Sequence, residues 1–343
     1  MKTTIADIAK KAGVSKATVS RVLNNRPEGV GSETRLRIQE LILETGFQPS
    51  GFARGLATGK SRSVGLIIPD ITNPFYSQMV RGIEDTLNTA GYSLFLCNSD
   101  RDLTKEKRYI NLLMEKEVDG VILDSAESNC DCQVELLEKN NKPFVLLDRM
   151  VEGTKKRSGV YVDNTHGARL AADFLFSRPG CSLLFLNGPS DLSQSQQRLA
   201  GVQQVFREKG LQESQLRIFY SDFTMEGGYQ VIANLLQEGG VDSTRKMPPF
   251  TALFAANDLM AIGALRALKQ AGILIPEQVE VIGFDDIELA GLVEPPLSTV
   301  SQPSLEMGSR SAALLLQMIN GKVARPRSIT LMPNILLRGT TRA

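Results

Sequence analysis

The chain has little of what most enzymes use. A single histidine, His166, stands in 343 residues. Any Ser-His-Asp or Cys-His arrangement would have to be built on it. Its setting, DNTHGARLAADF, reads instead as a helix start, where His beside Asn164 and Thr165 serves a loop or a cap. G-x-S-x-G and G-x-G-x-x-G are both missing. GLATGKS, Gly55 to Ser61, falls short of a phosphate loop: three residues rather than four separate its glycines, and Arg54 stands where the first glycine belongs. Asp285 and Asp286 are paired carboxylates, but neighbours on a strand point to opposite faces. No catalytic residue is therefore assigned, and the expected protein is not an enzyme.

Cysteine is scarce as well. Of Cys97, Cys130, Cys132 and Cys181 only the middle two are close, and a lone C-x-C with one histidine in the chain makes a poor zinc site. Reduced, structural thiols are expected, with no metal and no cofactor. No apolar run approaches the ~20 residues that span a bilayer. The N-terminus MKTTIADIAKKAG has no signal-peptide core, so a cytoplasmic protein with no membrane partner is expected.

What is present is an ordinary globular mixture, 42% hydrophobic and 22% charged, long enough for two or three domains. Its charge is uneven. Residues 1–62 hold eleven Lys/Arg against five Asp/Glu, a net of +6, which leaves −5 on the remainder of a chain whose net charge is +1. A basic head on an acidic body suggests a polyanion as partner for the head alone.

The head organises the rest. GVSKATVSRVLNN, Gly13 to Asn25, reads as the second helix of a helix-turn-helix. Gly13 supplies a tight turn, Ser15 can cap the helix, and Val19, Val22 and Leu23 fall at i, i+3, i+4 to make one apolar face. Lys16, Ala17, Ser20 and Arg21 occupy the other face. Such a helix fits the DNA major groove; a small amphipathic surface helix is the lesser alternative when it is taken alone. Ahead of it Thr4 can cap a first helix, with Asp7 in its first turn and Ile5, Ile8, Ala9 and Ala12 as its buried stripe. Asn24 to Gly29 is a loop by composition. Ser32 is expected to cap a third helix with Ile38, Leu41, Ile42 and Thr45 on one face, stopped by Gly46.

Residues 48–61 then read as a marginally helical linker. Ala53, Arg54, Leu56 and Ala57 favour a helix, whereas Gly51 and Gly55 each cost about 1 kcal/mol in one. Leu56, apolar in a basic segment, suits a wedge at a minor-groove base step, or is simply part of a tether.

From Ser63 short apolar runs alternate with helical patterns, the signature of parallel βαβ units. Nine strands are expected: 64–70, 92–98, 119–124, 143–149, 159–163, 182–188, 216–222, 251–257 and 279–285. They form two doubly wound halves that divide near Asp163. Almost every strand ends in Asp or Asn: Asp70, Asn98, Asp124, Asp148, Asp163, Asp222, Asn257 and Asp285. Ligands of open α/β sheets bind at the carboxyl ends of strands, although Asp and Asn are also common where a strand becomes a turn. Acids and amides pair well with hydroxyls, and Arg149 and Arg198 add charged donors. That suits a sugar or sugar acid better than a purine.

These features together resemble the LacI/GalR family of bacterial transcription regulators. TIADIAKKAGVSKATVSRVLNN, the linker ending FARGLA, and the body motifs carry the likeness from Thr3 to Arg338. The body is also similar to periplasmic ribose-type sugar-binding proteins, in TNPFY (72–76), LDR (147–149), RLAG (198–201), ANDLMAIGALRAL (256–268), VIGFDD (281–286) and STVSQP (298–303).

The resemblance implies an all-α helix-turn-helix head and an α/β body of two doubly wound lobes of periplasmic-binding-protein type. It makes Lys16, Ala17 and Arg21 base readers, with Thr18, Ser20 and Asn24 on phosphates. Thr4, Ser15 and Arg54 complete the DNA-contacting set. Leu56 matches the family's minor-groove leucine; Ala57 departs from members with Lys there, and Gly55 from the more usual Ser or Ala. The effector positions fall on Asn73, Phe75, Asp148, Arg149, Arg198, Asn257, Phe284, Asp285 and Gln302, with Phe75 and Phe284 stacking on a sugar ring and Asp70 nearby.

The expected function is then a transcriptional repressor that binds a palindromic DNA operator as a homodimer and is switched by a sugar or sugar-acid effector. A purine- or other metabolite-responsive regulator, or a sugar-binding transport component, are the alternatives. The chain ends without the leucine-heptad tail of tetrameric members, so a dimer is expected, with Tyr109, Leu112 and Leu113 able to contribute to its face. The expected divisions are a head at 1–48, a hinge at 49–62, a first lobe at 63–162 and 300–327, and a second at 163–299 and 328–343.

Overall fold

The computed structural model describes residues 3–23, 29–47, 60–125, 132–149, 156–238 and 248–342. Four expected DNA-contacting residues, Asn24, Arg54, Leu56 and Ala57, lie outside them. The chain divides into two compact units between Arg62 and Ser63.

The first unit is helical. α1 (Ile5–Ala12) starts at a capping box: Thr4 Oγ1 accepts the Asp7 N–H, and Asp7 Oδ2 accepts the Thr4 N–H at 2.9 Å. The side-chain bond from Thr4 holds the Asp7 carboxyl below its ordinary range. Gly13, at φ +64°, closes α1. Ser15 Oγ then accepts the Thr18 N–H at 3.1 Å, which starts α2 (Lys16–Leu23). α3 (Ser32–Thr45) departs from expectation at its start: Gly31 is the N-cap, no side chain caps it, and Ser32 is already helical. Ile8, Ala9, Ala12, Val19, Val22 and Ile38 form the core. The i, i+3, i+4 spacings of three short helices thus converge on one small apolar centre.

The second unit alternates strands and helices. Its first half runs β1 (Ser63–Ile68), α4 (Phe75–Thr89), β2 (Ser93–Asn98), α5 (Leu103–Glu115), β3 (Gly120–Leu123), α6 (Cys132–Lys139), β4 (Phe144–Leu147) and β5 (Gly159–Val162). Its second half runs α7 (Asn164–Phe176), β6 (Leu183–Asn187), α8 (Ser193–Glu208), β7 (Leu216–Tyr220), α9 (Met225–Glu238), β8 (Ala252–Ala255), α10 (Asp258–Gln270), β9 (Glu280–Asp285), α11 (Glu288–Leu292) and β10 (Ser298–Ser301). α12 (Ser304–Ile319), β11 (Ser328–Leu331) and β12 (Asn334–Leu336) follow. Inner strands such as β1 and β9 are buried throughout, which is why they read as unbroken apolar runs. No helix among the described residues is long and apolar enough to cross a membrane.

The first sheet has the order β11-β5-β4-β3-β1-β2 and is parallel throughout. The second has the order β12-β10-β9-β8-β6-β7, with only β12 antiparallel. In each, the strand order reverses beside the first strand of its half, which opens a crevice at the carboxyl ends. α12 returns to the first lobe and crosses α4 at two glycines. A Cβ on Gly82 would lie 2.2 Å from the Leu305 carbonyl oxygen, and one on Gly308 2.0 Å from that of Met79.

The strand pairing corrects the expected lobe limits. β10 and its residue Ser301 belong to the second sheet, so that lobe extends past 299; β11 pairs with β5 in the first sheet, so the last passage between lobes follows Leu331 rather than 327. These short Ser/Thr-bearing strands carry too little apolar signal to be read as strands, and pairing across some 170 residues decides their sheet. Leu113 is corrected as well. It is buried against Gly65 inside the first lobe, while Leu112 on the same helix is exposed. Cys97 and Cys181 are free and buried, but Cys132 is disulfide-bonded, unlike the reduced thiol expected. Periodicity and composition carry no information on the pairing of an isolated C-x-C.

Candidate functional site

In the head, Thr4, Ser15, Lys16, Ala17 and Arg21 are exposed and Thr18 and Ser20 half-buried; Lys16, Ala17, Ser20 and Arg21 lie on α2 off the face that buries Val19 and Val22. The helix that buries two valines therefore offers one cation at its first residue and another five residues on, 1.5 Å of rise apart per residue. Thr18 Oγ1 is held 2.9 Å from Ser15 Oγ. Arg21 extends beside Gly29, where a Cβ would meet its Nη1 at 2.9 Å.

In the body, the carboxyl ends of both sheets meet around one cavity. Asn73, Phe75, Asp148, Arg149, Arg198, Asn257, Asp285 and Gln302 all line it. All but Arg198, which lies within α8, reach it from the end of an element or the turn beside it. Asn73 and Phe75 come from the turn after β1; Asn73 Oδ1 accepts the Phe75 N–H at 3.0 Å and starts α4. Asp148 and Arg149 follow β4. Asn257 caps α10, accepting the Met260 N–H at 2.8 Å and donating to the Phe223 carbonyl at 3.0 Å. Asp285 ends β9, and Gln302 follows β10 where the chain returns to the first lobe.

Two of these acids hold unusual backbone. Asp148 has φ +59° and Asp285 φ +117°, in a region side chains rarely adopt. Each stands at the end of the fourth strand of its half, so the two lobes present the same strained acid to the cavity.

The charged groups are buried and shared out. Arg149 lies 3.5 Å from Asp124 and donates to the Ser125 carbonyl at 2.9 Å. Tyr76 donates to the other oxygen of Asp124 at 2.8 Å. Burial pushes Asp124 up to about 8, against the pull of Arg149. Arg198 donates to Asn164 Oδ1 at 2.9 Å and to the Ala256 carbonyl, and burial lowers its pKa although Asp285 and Asp148 oppose this. Burial likewise raises Asp285 to about 7, against Arg198 and the hydrogen bond from Gln302.

Phe284 is not at the cavity wall. It is fully buried with the Arg198 guanidinium over its ring at 3.9 Å. Phe284 and Asp285 are neighbours on one strand, and the pleat sends them to opposite sides. Phe284 therefore offers the cavity no ring face, contrary to the expected stacking position, and other rings line it. Tyr76 and Phe223 line the cavity beside Phe75, as do Arg101 and Gln194. None of these four follows from the strand-end rule alone. Tyr76 is the last residue of TNPFY, and Gln194 stands four residues before Arg198 on one helix, a spacing that puts both on the same face.

The remaining strand-end residues are turn formers. Asp70 accepts from the Thr72 hydroxyl at 2.6 Å, and Asp222 from that of Thr224 at 2.6 Å. Asp163 caps α7 through the His166 N–H at 2.8 Å, and Asn98 accepts the Ile71 N–H at 2.9 Å.

Comparison with known proteins agrees with both halves of this description. Residues 4–50 match the bacterial regulatory proteins of the lacI family, and residues 175–341 match the periplasmic binding protein-like domain. The HTH-type transcriptional repressor CytR of Escherichia coli (strain K12) is 33% identical over 340 residues, covering 99% of this chain and 96% of its own. The ribose operon repressor of Halalkalibacterium halodurans is 35% identical over 341 residues, covering 99% and 97%. Among solved structures, the lac repressor dimer bound to operator and the anti-inducer ONPF superposes with a TM-score of 0.87 at 27% identity, covering 100% of both chains. The chain belongs to the LacI family of bacterial regulatory proteins: it is a DNA-binding transcriptional regulator with a helix-turn-helix head and a periplasmic-binding-protein-like body.

Proposed function

We propose that the protein is a repressor that binds a palindromic operator as a homodimer and is switched by a small sugar or sugar acid held between its two lobes. It has no catalytic role. The observation that carries this reading is the convergence of eight expected effector residues, spread from Asn73 to Gln302, on one cavity at the carboxyl ends of both sheets. Acids, amides and guanidinium groups there match a polyhydroxyl ligand, and Phe75, Tyr76 and Phe223 supply apolar faces for a sugar's C–H groups.

In the head, residues 1–48, Lys16, Ala17 and Arg21 read bases from the exposed face of α2, with Thr4, Ser15, Thr18, Ser20 and Asn24 supporting it on the backbone. Arg54, Leu56 and Ala57, in the hinge at 49–62, meet the minor groove. A module with a six-residue core gives modest affinity alone, so two heads on two half-sites are needed. The dimer face includes the edge strand β2, where Phe95 and Leu96 are exposed, and the exposed Leu112.

Switching follows from the connections. The chain passes between the lobes three times, after β5, β10 and β11, and the second passage carries Gln302 itself. A ligand that binds both lobes changes their relative position only by its differential affinity for the two arrangements, and that change is passed to the hinge. Release of the operator is the expected response to a sugar.

A thermal-shift screen of the full chain against sugars, sugar acids and purines tests the reading, because a ligand of the native state raises Tm by mass action. A shift with a sugar or sugar acid is expected. A shift with purines alone would make the protein a purine-responsive regulator, and sugar-dependent ATP consumption would contradict the absence of catalysis.

A further inference from the structure

Gln194 lies in the first turn of α8, in the second lobe. Its Nε2 donates to Asp148 Oδ2 at 2.8 Å. Asp148 ends a strand of the first lobe, so this bond spans the cleft. A carboxylate can only accept, which fixes the amide: its NH₂ faces the acid, and its carbonyl oxygen is left over. That oxygen, Gln194 Oε1, is buried without a hydrogen-bond partner, and so is Asp148 Oδ1. The arrangement recurs across the cavity. Gln302 Nε2 donates to Asp285 Oδ1 at 2.7 Å, and Gln302 Oε1 is buried and unpartnered.

Among the described residues, three buried oxygens of the cavity lining thus lack a donor; the one buried nitrogen there without a hydrogen bond, Arg149 Nε, lies 3.5 Å from the Asp124 carboxylate. The cavity's cations are in a different position. Arg198 is engaged by Asn164, the Ala256 carbonyl and the Phe284 ring, Arg149 by Asp124 and the Ser125 carbonyl, and Arg101 by Asp70 at 3.9 Å and the Phe223 ring. Buried acceptors without donors are destabilising until something donates to them.

We infer that Gln194 is a specificity-determining residue and the interlobe latch of this cleft, and that the effector is a neutral polyol whose hydroxyls donate to the free oxygens of Asp148, Gln194 and Gln302. The inference rests on the cleft being the effector site. A hydroxyl can donate to each oxygen while both amides stay on their acids. The carboxylate of a sugar acid has no proton to offer and would set two more acceptors against these three, so the site rejects it. Because the Gln194–Asp148 bond joins a residue of each lobe directly, it also biases the population of the closed form.

The test uses the full chain and isothermal titration with matched pairs: D-ribose and D-ribonate, D-galactose and D-galactonate, D-glucose and D-gluconate. One aldose is expected to bind, at least a hundredfold tighter than its own acid. Gln194→Leu should weaken that aldose at least tenfold and enlarge the ligand-free protein in small-angle scattering, with operator binding retained. Gln194→Lys should keep a bond to Asp148 but replace the orphaned acceptor with a donor, moving the aldose-to-acid ratio at least tenfold towards the acid. A purely structural role would not move that ratio. Circular dichroism checks that each variant is folded; if Gln194→Leu is not, Gln194→Lys alone decides. An acid bound as tightly as its aldose, or an unchanged ratio in Gln194→Lys, overturns the inference and leaves the effector site standing. Binding of no aldose and no acid overturns both.

Discussion

The Arg198 guanidinium lies 3.9 Å from the centre of the Phe284 ring while its Nε donates to Asn164 Oδ1 at 2.9 Å. The ring is a floor that fixes the cation where two acids, Asp148 and Asp285, face the same cavity. Arg198→Ala should abolish the response to effector and leave operator binding intact. Phe284→Leu removes a desolvated cation–π contact of about 2 kcal/mol and should weaken the effector roughly thirtyfold without abolishing it. Titration of both variants with the ligand found by thermal shift checks this; a normal response in Arg198→Ala would remove that residue from the site.

Arg21 is exposed on the face of α2 opposite Val19 and Val22. As a bidentate base reader it should contribute roughly 1–3 kcal/mol on the cognate operator. Arg21→Ala is expected to lose that much and to relax the preference at one base pair. Binding measured over a set of single-substituted operators checks it. Equal loss on every sequence would make Arg21 a phosphate contact instead.

Gly82 admits the α4–α12 crossing because a Cβ there would stand 2.2 Å from the Leu305 carbonyl oxygen. Backbone cannot yield as a flexible side chain does. Gly82→Ala should therefore destabilise the body by about 1–3 kcal/mol despite alanine's better helix propensity. Denaturant unfolding reads this, and a stabilised variant would contradict the packing described.

Asp124 is buried, and its pKa rises from 3.8 to about 8. Between those values the native state holds a proton that the unfolded chain has released. This contribution to stability is fully present below pH ~4 and lost as pH rises towards 8. Stability should fall across that window, and Asp124→Asn, which can still accept from Tyr76, should flatten the slope. Melting curves at intervals between pH 5 and 8.5 show whether the two slopes differ; identical slopes would rule out Asp124 as the titrating group.

Local signals made much of this molecule legible. The spacing of Val19 and Val22, the caps at Thr4 and Ser15, and nine apolar runs, almost all ending in an acid or amide, predict the head core, β1 to β9 and most of the cavity wall. Several of the failures share one cause, which is that sequence distance hides spatial pairing. β10, β11 and β12 are short, and their sheets are chosen by partners far along the chain. Leu113 looks like the exposed Leu112 until Gly65 is placed beneath it. Phe284 reads as a ligand contact because its neighbour Asp285 is one, yet the pleat turns it inward. Gln194 becomes visible only when Asp148, 46 residues away, is brought to 2.8 Å.

The most direct measurement is fluorescence anisotropy of a labelled palindromic operator, selected from a random library with the full chain, titrated at several salt concentrations with and without the sugar found by thermal shift. Neutralised phosphates release counterions, so the logarithm of the binding constant should fall linearly with the logarithm of salt concentration, and added sugar should weaken binding at every salt. Failure to bind any DNA in a salt-dependent way, or tight operator binding untouched by a sugar that demonstrably occupies the cleft, would contradict a sugar-switched repressor.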